Sequence, residues 1–314
     1  MRSAILARLA ALPLVVLALS ALVFFLVALV PGDVATTFAG PQATADQVEQ
    51  LRRDLGLDQP VLGQYVAWLT DAVRGDLGRS LANGTPVGEM LAARLPVTLS
   101  LTIAGTVAAV LIGVPAGIAA GLRPGGLLDR LVTGLSAIGV AFPSFWLGLL
   151  LVGLFALRIP VFPATGYVSF AESPTQWLAR IVLPAVALGV TPAAVLARQM
   201  RSSLVEVMGS AYVRTARAKG VPAGAIVRRH ALRNAAGPMV TQLGFWVTIM
   251  LGTSLIVEQV FSLPGIGGAM AHAIMQGDTP VLLGLAVVLV VLVVAINLVV
   301  DLVLMWLNPK ARTA

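Results

Sequence analysis

Residues able to do acid–base, nucleophilic or metal chemistry are sparse in this chain of 314 residues, and their spacing excludes more than it offers. There are two histidines, His230 and His272, and no cysteine, so neither a disulfide nor a thiolate metal site can form. No HExxH, GxSxG or GxxxxGK[ST] pattern occurs, which removes the usual residues of zinc peptidases, serine hydrolases and ATP-hydrolysing phosphate loops. The glycine-rich run 262–268 lacks GxGxxG spacing and follows no strand-like segment, so it is not read as a nucleotide loop. What the spacing does offer is charge recognition. Arg214, Arg217, Lys219, Arg228, Arg229 and Arg233, with Arg201 just upstream, are seven of the chain's twenty-one Lys and Arg. No acid lies between Tyr212 and Pro238. Such a segment cannot sit in lipid, and its cations suit acidic groups on a partner through charge-assisted hydrogen bonds.

The elements that would present these bases are readable. Ser210 can cap a short helix over 211–219, with Lys219 in its last turn, where a cation suits the helix dipole. Gly220 fits a left-handed stop and Pro222 prevents continuation. A second helix is expected over 223–234, broken by Gly237-Pro238 before the next apolar run. The insert therefore reads as helix, tight turn, helix. A plain anchor on lipid headgroups would need no such shape, so a partner-docking role is preferred.

Around the insert the chain is oily: 58% hydrophobic and 11% charged, with a mean hydropathy of +0.93. A soluble domain carries roughly 25% charged residues, so an all-α integral membrane protein is expected. Six apolar runs approach or exceed the ~20 residues of a spanning helix: 9–30, 96–122, 131–157, 181–197, 238–257 and 281–307, the fourth being the shortest. Their continuity, without alternation, favours helices over a barrel. The first run is read as a retained helix and not a cleaved signal, because its 22 apolar residues exceed an h-region of about 7–15.

Six spans put both termini on one side. That side holds Arg2, Arg8, Arg123, Arg130, eight bases from Arg198 to Arg233, Lys310 and Arg312 against three acids, Asp129, Glu206 and Asp301. The other side holds seven bases and eleven acids. This is the positive-inside pattern, so both termini are expected in the cytoplasm. The net charge of +7 then encodes orientation and attraction to anionic lipid, not nucleic-acid binding.

The organisation expected is a tail and first helix (1–30), an outer segment (31–95) and a membrane core (96–314) carrying the basic loop 198–237. The outer segment should fold on its own. Thr44 with Gln47 reads as a capping box, Gly56 as a helix stop, 64–73 as a second helix, and Asp76, Ser80 and Asn83-Gly84 as turns. It serves either as a structural cap or as a docking and substrate-guiding surface. Pro143, Pro184 and Pro192 should kink or interrupt the third and fourth spans. In the fifth span Thr241, Gly244, Thr248 and Gly252 share one helix face, and in the second Thr98, Thr102, Gly105, Ala109 and Gly113 nearly do. Close helix packing is the preferred reading; a pathway lining is the alternative. The near absence of charge inside the spans opposes an ion-coupled transporter working alone, and no catalytic pair supports an intramembrane enzyme.

With these residues in place, the chain resembles the inner-membrane permease subunits of ABC importers, specifically the dipeptide/oligopeptide/nickel branch. Its most specific match runs from Tyr212 to Gly220 (YVRTARAKG) and continues in Arg229-His230, Leu232 to Ala235 and Pro238. This resembles that branch's EAA coupling loop. Further matches are Pro31-Gly32-Asp33, Leu55 to Pro60, Gly75 to Ser80, and Glu258 with Phe261 to Gly267. The long loop between the first two spans is similar to that of the first of the two paired permeases. Departures are Arg214 and Arg233, where the general EAA pattern has Glu and Pro, Ala211 where the branch has Asp, and Asn308-Pro309-Lys310 in place of Asp-Pro-Arg.

The resemblance implies a type I importer fold and a non-catalytic pore subunit in a bacterial cytoplasmic (inner) membrane. It implies a second homologous permease, two cytoplasmic ATPase subunits that bind the ATP and Mg, and an extracytoplasmic substrate-binding protein. No cofactor is expected in this chain. The coupling residues it implies are Tyr212, Arg214, Thr215, Ala216, Arg217, Ala218, Lys219, Gly220, Arg229, His230 and Asn234. The cargo it implies is a dipeptide, a longer peptide or a related solute such as a nickel chelate.

Overall fold

The computed structural model describes residues 2–29, 33–40 and 42–307, with side chains for 12–29, 33–40, 42–229, 231–300 and 302–303. Pro31, Gly32, Asn308, Pro309, Lys310 and Arg312 therefore lie outside the described residues, as do the side chains of Arg2, Arg8, His230 and Asp301. Among the described residues the regular elements are helices, with one isolated β-bridge between Arg79 and Pro86. In chain order they are α1 (Arg2–Ala28), α2 (Val34–Ala39), α3 (Ala45–Asp54), α4 (Val61–Val73), α5 (Val87–Leu122), α6 (Leu127–Ala141), α7 (Ser144–Val152), α8 (Pro174–Met208), α9 (Ala211–Ala218), α10 (Ala223–Ile226), α11 (Leu232–Val260), α12 (Ile266–Gln276) and α13 (Thr279–Leu307). Two π-helical segments, Gly153–Arg158 and Val227–Ala231, extend α7 and join α10 to α11.

Among the described residues, four helical stretches are long and apolar enough to cross a membrane: Val87–Leu122, Pro174–Met208, Ala223–Val260 and Thr279–Val300. A fifth arises if the bent pair Leu127–Ala141 and Ser144–Arg158 is one span, while Leu12–Ala28 is a shorter apolar helix. The described residues of the six apolar runs thus lie mainly in helices, but among them the count of long spans is four or five.

The break expected at Pro143 is present, while two other local expectations need correction. The run 131–157 forms two helices that meet at 101°. Phe142, held extended (φ −91°, ψ 129°) by the proline that follows, is the corner. Pro184 and Pro192, by contrast, leave α8 uninterrupted. Both are buried, and α5 lies so close that a Cβ on Gly189 would stand 2.6 Å from the Gly105 carbonyl oxygen; packing of that intimacy holds a helix through a missing hydrogen bond. Nor does Gly237-Pro238 end a helix. The helical path is unbroken from Ala223 to Val260, with Ala231 at the end of the widened π turn and Ala235 one turn later both fully buried upstream of the proline.

The chain forms two compact units, Met1–Val97 with Pro264–Ala295 and Thr98–Leu263 with Ile296–Ala314. In the first, the Thr44–Gln47 capping box opens α3 and Gly56 closes its end with φ +65°. Phe24 of α1 meets the Tyr65 ring edge-on at 5.3 Å, and the Tyr65 hydroxyl lies 3.0 Å from Ser20 Oγ. Arg52 pairs with Asp33, and that hydrogen-bonded carboxylate pushes the guanidinium pKa up. Asp278 is 2% exposed and accepts hydrogen bonds from Ser80 Oγ and the Leu81 N–H, fixing the turn that precedes α5.

In the second unit α8 is the hub, packed against α6, α7 and α11. Gly113 and Gly117 let α5 approach the backbone of α8 at Ala193 and Ala197, closer than any side chain would permit. Thr98 donates to Glu258 at 2.6 Å, both fully buried.

Candidate functional site

The basic segment is built on a closed stop. Ser210 occupies the N-cap of α9, but its hydroxyl donates to the Val207 carbonyl oxygen at 2.6 Å and makes no cap bond to α9. The helix ends at Ala218, which leaves Lys219 at the C-cap. Gly220 follows at φ +74°. Its N–H donates to the Arg217 carbonyl at 2.9 Å, and the Val221 N–H donates to the Ala216 carbonyl at 3.1 Å. These paired bonds make a Schellman stop. A Cβ at Gly220 would meet nothing within 4 Å, so glycine is needed here for backbone conformation and not for space. Pro222 then opens α10.

One face of this hairpin is anchored and the other is free. Val213 and Ile226 are buried. Asn234 Nδ2 donates to the Tyr212 hydroxyl at 2.9 Å, tying α9 to the start of α11. Arg214, Thr215, Arg217, Ala218, Lys219 and Gly220 are exposed, and Ala216 is half-buried. Arg228, Arg229 and Arg233 are exposed on the second arm. No described acid pairs with Arg214, Arg217, Lys219 or Arg229. The sequence-predicted coupling residues are therefore brought together on one hairpin, with His230 outside the described side chains. An exposed cluster of like charges, held on a fixed turn and paired with no described acid, is suited to an acidic partner surface.

The small-residue stripe in the fifth span does not act as one surface. Gly244 is buried and its Cα faces Val300 of α13 so closely that any Cβ would collide. Gly252 faces open space. Thr241 and Thr248 turn their hydroxyls back to the carbonyls of Gly237 and Gly244. The corresponding stripe of α5 is packing throughout: Thr98, Thr102 and Ala109 are buried, and Gly105 and Gly113 sit against α8.

Two features were not legible. The first is a 360 Å³ cavity at the α6–α7 corner, lined by Phe142, Pro143, Leu188, Thr191, Trp246 and Met250. No linear spacing connects these residues. The second is a bidentate pair in which Arg201 Nε and Nη2 donate to the two Asp129 carboxylate oxygens at 2.8 and 2.7 Å. A signal existed for it, because Asp129 is one of very few acids among many bases and lies in the first turn of a helix.

Comparison with known proteins bears on this arrangement. Residues 113–313 match the family described as binding-protein-dependent transport system inner membrane component, and residues 1–102 match its N-terminal region. A protein of Brucella abortus (strain 2308) named as a peptide transport system permease is 40% identical over 312 residues, covering 99% of each chain. The glutathione transport system permease protein GsiC of Escherichia coli (strain K12) is 38% identical over 293 residues, 93% of each. A chain of the inward-facing MetNI methionine ABC transporter superposes with a TM-score of 0.57 at 22% identity, covering 70% of this chain and 96% of that one. At that identity the likeness shows the fold alone.

Proposed function

The chain belongs to the binding-protein-dependent transport system inner membrane components, the membrane subunits of ABC importers, and from that membership we propose that it passes peptides or peptide-like solutes with its energy supplied through the α9 hairpin. The observation that carries the proposal is the exposed cluster Arg214, Arg217 and Lys219, paired with no described acid, on a helix closed by Gly220. In this reading α9 seats in a groove of a cytoplasmic ATPase subunit. Arg229 and Asn234 brace the second arm, and both termini face the cytoplasm. ATP and Mg²⁺ are bound by two such subunits and not by this chain. A second, homologous permease completes the pore, and an extracytoplasmic binding protein delivers the solute to the outer segment.

The peptide assignment is supported by relatives named for peptide and glutathione transport. The chemistry shared by those names is a flexible zwitterion with amide bonds. The experiment is uptake of labelled di- and tripeptides by cells with and without this chain, with glutathione and a nickel chelate as competitors. Peptide uptake that disappears with the chain, and that unlabelled peptides suppress, is expected. Loss of nickel uptake with peptide uptake unchanged would replace the cargo and leave the importer reading intact.

A further inference from the structure

The Arg201–Asp129 pair is unusually complete. Asp129 is in the first turn of α6, with its side chain only 5% exposed against 34% for Arg201. Both carboxylate oxygens are occupied: Oδ1 accepts from Arg201 Nε at 2.8 Å and from Thr133 Oγ1 at 3.5 Å. Oδ2 accepts from Arg201 Nη2 at 2.7 Å and from the Gly125 N–H at 2.7 Å. A single carboxylate thus fastens the turn before α6, α6 itself and the last turns of α8. Parallel double bonds from a guanidinium fix orientation as well as distance.

A second tie joins the same helices. Thr191 Oγ1 of α8 donates to the Gly139 carbonyl of α6 at 3.2 Å. From 129 to 139 is ten residues, and from 191 to 201 is ten residues. At ~1.5 Å per residue both intervals are about 15 Å. The two helices run antiparallel and are fastened at two rungs with matching spacing, with Gly139 drawn close to Val190 and Ala194 between them. One end of this ladder is continuous with the basic hairpin, since α8 ends at Met208 and α9 begins at Ala211. The other end is the α6–α7 corner, where Val140 to Phe145 line the cavity with Thr191, Pro192, Trp246 and Met250.

We propose that Arg201 and Asp129 are a positioning pair that makes α6 follow α8, so that displacement of the α9 hairpin reaches the α6–α7 corner and the cavity it lines. This inference rests on the proposed role of α9 as the ATPase contact. Without the pair, α8 moves with the hairpin while α6 lags, and ATP turnover no longer reshapes the corner. A pair that only held the fold together would instead lower the amount of assembled protein without changing the work done per ATP.

The test uses the complete transporter, purified with its partner subunits and reconstituted in liposomes, with ATP hydrolysis and solute uptake measured on one preparation. Arg201→Lys keeps the charge and loses the fork; Asp129→Asn keeps the shape and loses the charge. Each is expected to retain the ATPase subunits and wild-type or faster hydrolysis while uptake per ATP falls roughly 3- to 30-fold, the range of couplings carried by residues between sites. The reversed pair, Asp129→Arg with Arg201→Asp, should recover part of that ratio. Uptake per ATP equal to wild type in either single variant overturns the inference, as does a loss of uptake and hydrolysis in equal proportion. If Asp129→Asn does not assemble, Arg201→Lys alone decides. Absence of ATPase subunits from the wild-type preparation would instead overturn the coupling role of α9, and this inference with it.

Discussion

At the scale of single residues, Gly220 separates two demands that sequence reading merges. Its φ of +74° disfavours a side chain by conformation, while the space around it is open. Asn and Asp both tolerate the left-handed region at a cost of about 1 kcal/mol. Gly220→Asn should therefore support near-normal uptake, whereas Gly220→Asp inserts equally well and loses uptake by placing an anion among Arg217 and Lys219. Equal uptake by both variants, measured at equal membrane abundance, would remove this position from the partner contact. Glycines inside the spans behave differently. A Cβ at Gly113 runs into the Ala193 backbone, so Gly113→Val should lower stability by about 1–3 kcal/mol, the range for overpacking, seen as a lower melting temperature in detergent. Gly252 faces open space. Gly252→Leu should leave stability within about 0.5 kcal/mol yet slow uptake if this face lines the pathway; unchanged uptake would exclude it. Spacing alone put Gly244 and Gly252 on one stripe. Only the neighbour across the gap, Val300 for one and nothing for the other, tells packing from lining.

At the scale of elements, what the sequence disclosed depended on whether the deciding interaction was local. The capping box at Thr44–Gln47, the stops at Gly56 and Gly220 and the corner at Pro143 are set by a few adjacent residues, and all were readable. Pro184, Pro192 and Pro238 carry the same local signal as Pro143 but stay within helices, because the tight backbone contacts of α5 with α8 and the buried Ala231 and Ala235 outweigh one lost hydrogen bond. The Asp278–Ser80 tie is likewise invisible in sequence, spanning 198 positions. It anchors the turn before α5, and hydrogen bonds to a charged group contribute about 1.5–3 kcal/mol. Asp278→Asn should therefore open the neighbouring loop to trypsin at Arg79 several times faster in right-side-out vesicles. An unchanged cleavage rate would mean that Arg79–Pro86 pairing alone holds the loop.

At the scale of the whole molecule, the charge distribution and the family agree on what the chain lacks as much as on what it has. Its sequence carries no phosphate-loop pattern and its spans hold little charge, and the proposed function accordingly has the energy for transport enter through contact with a partner protein. In the proposed function the exposed bases of α9 are the surface that makes that contact. The decisive measurement is recovery of ATPase subunits with the tagged chain from gently solubilised membranes, comparing wild type with Arg214, Arg217 and Lys219 all changed to Glu. The account predicts ATPase subunits with the wild type and their loss from the variant at equal abundance and fold. Equal recovery with both chains would contradict it, and would reduce the basic hairpin to an anchor on the lipid surface.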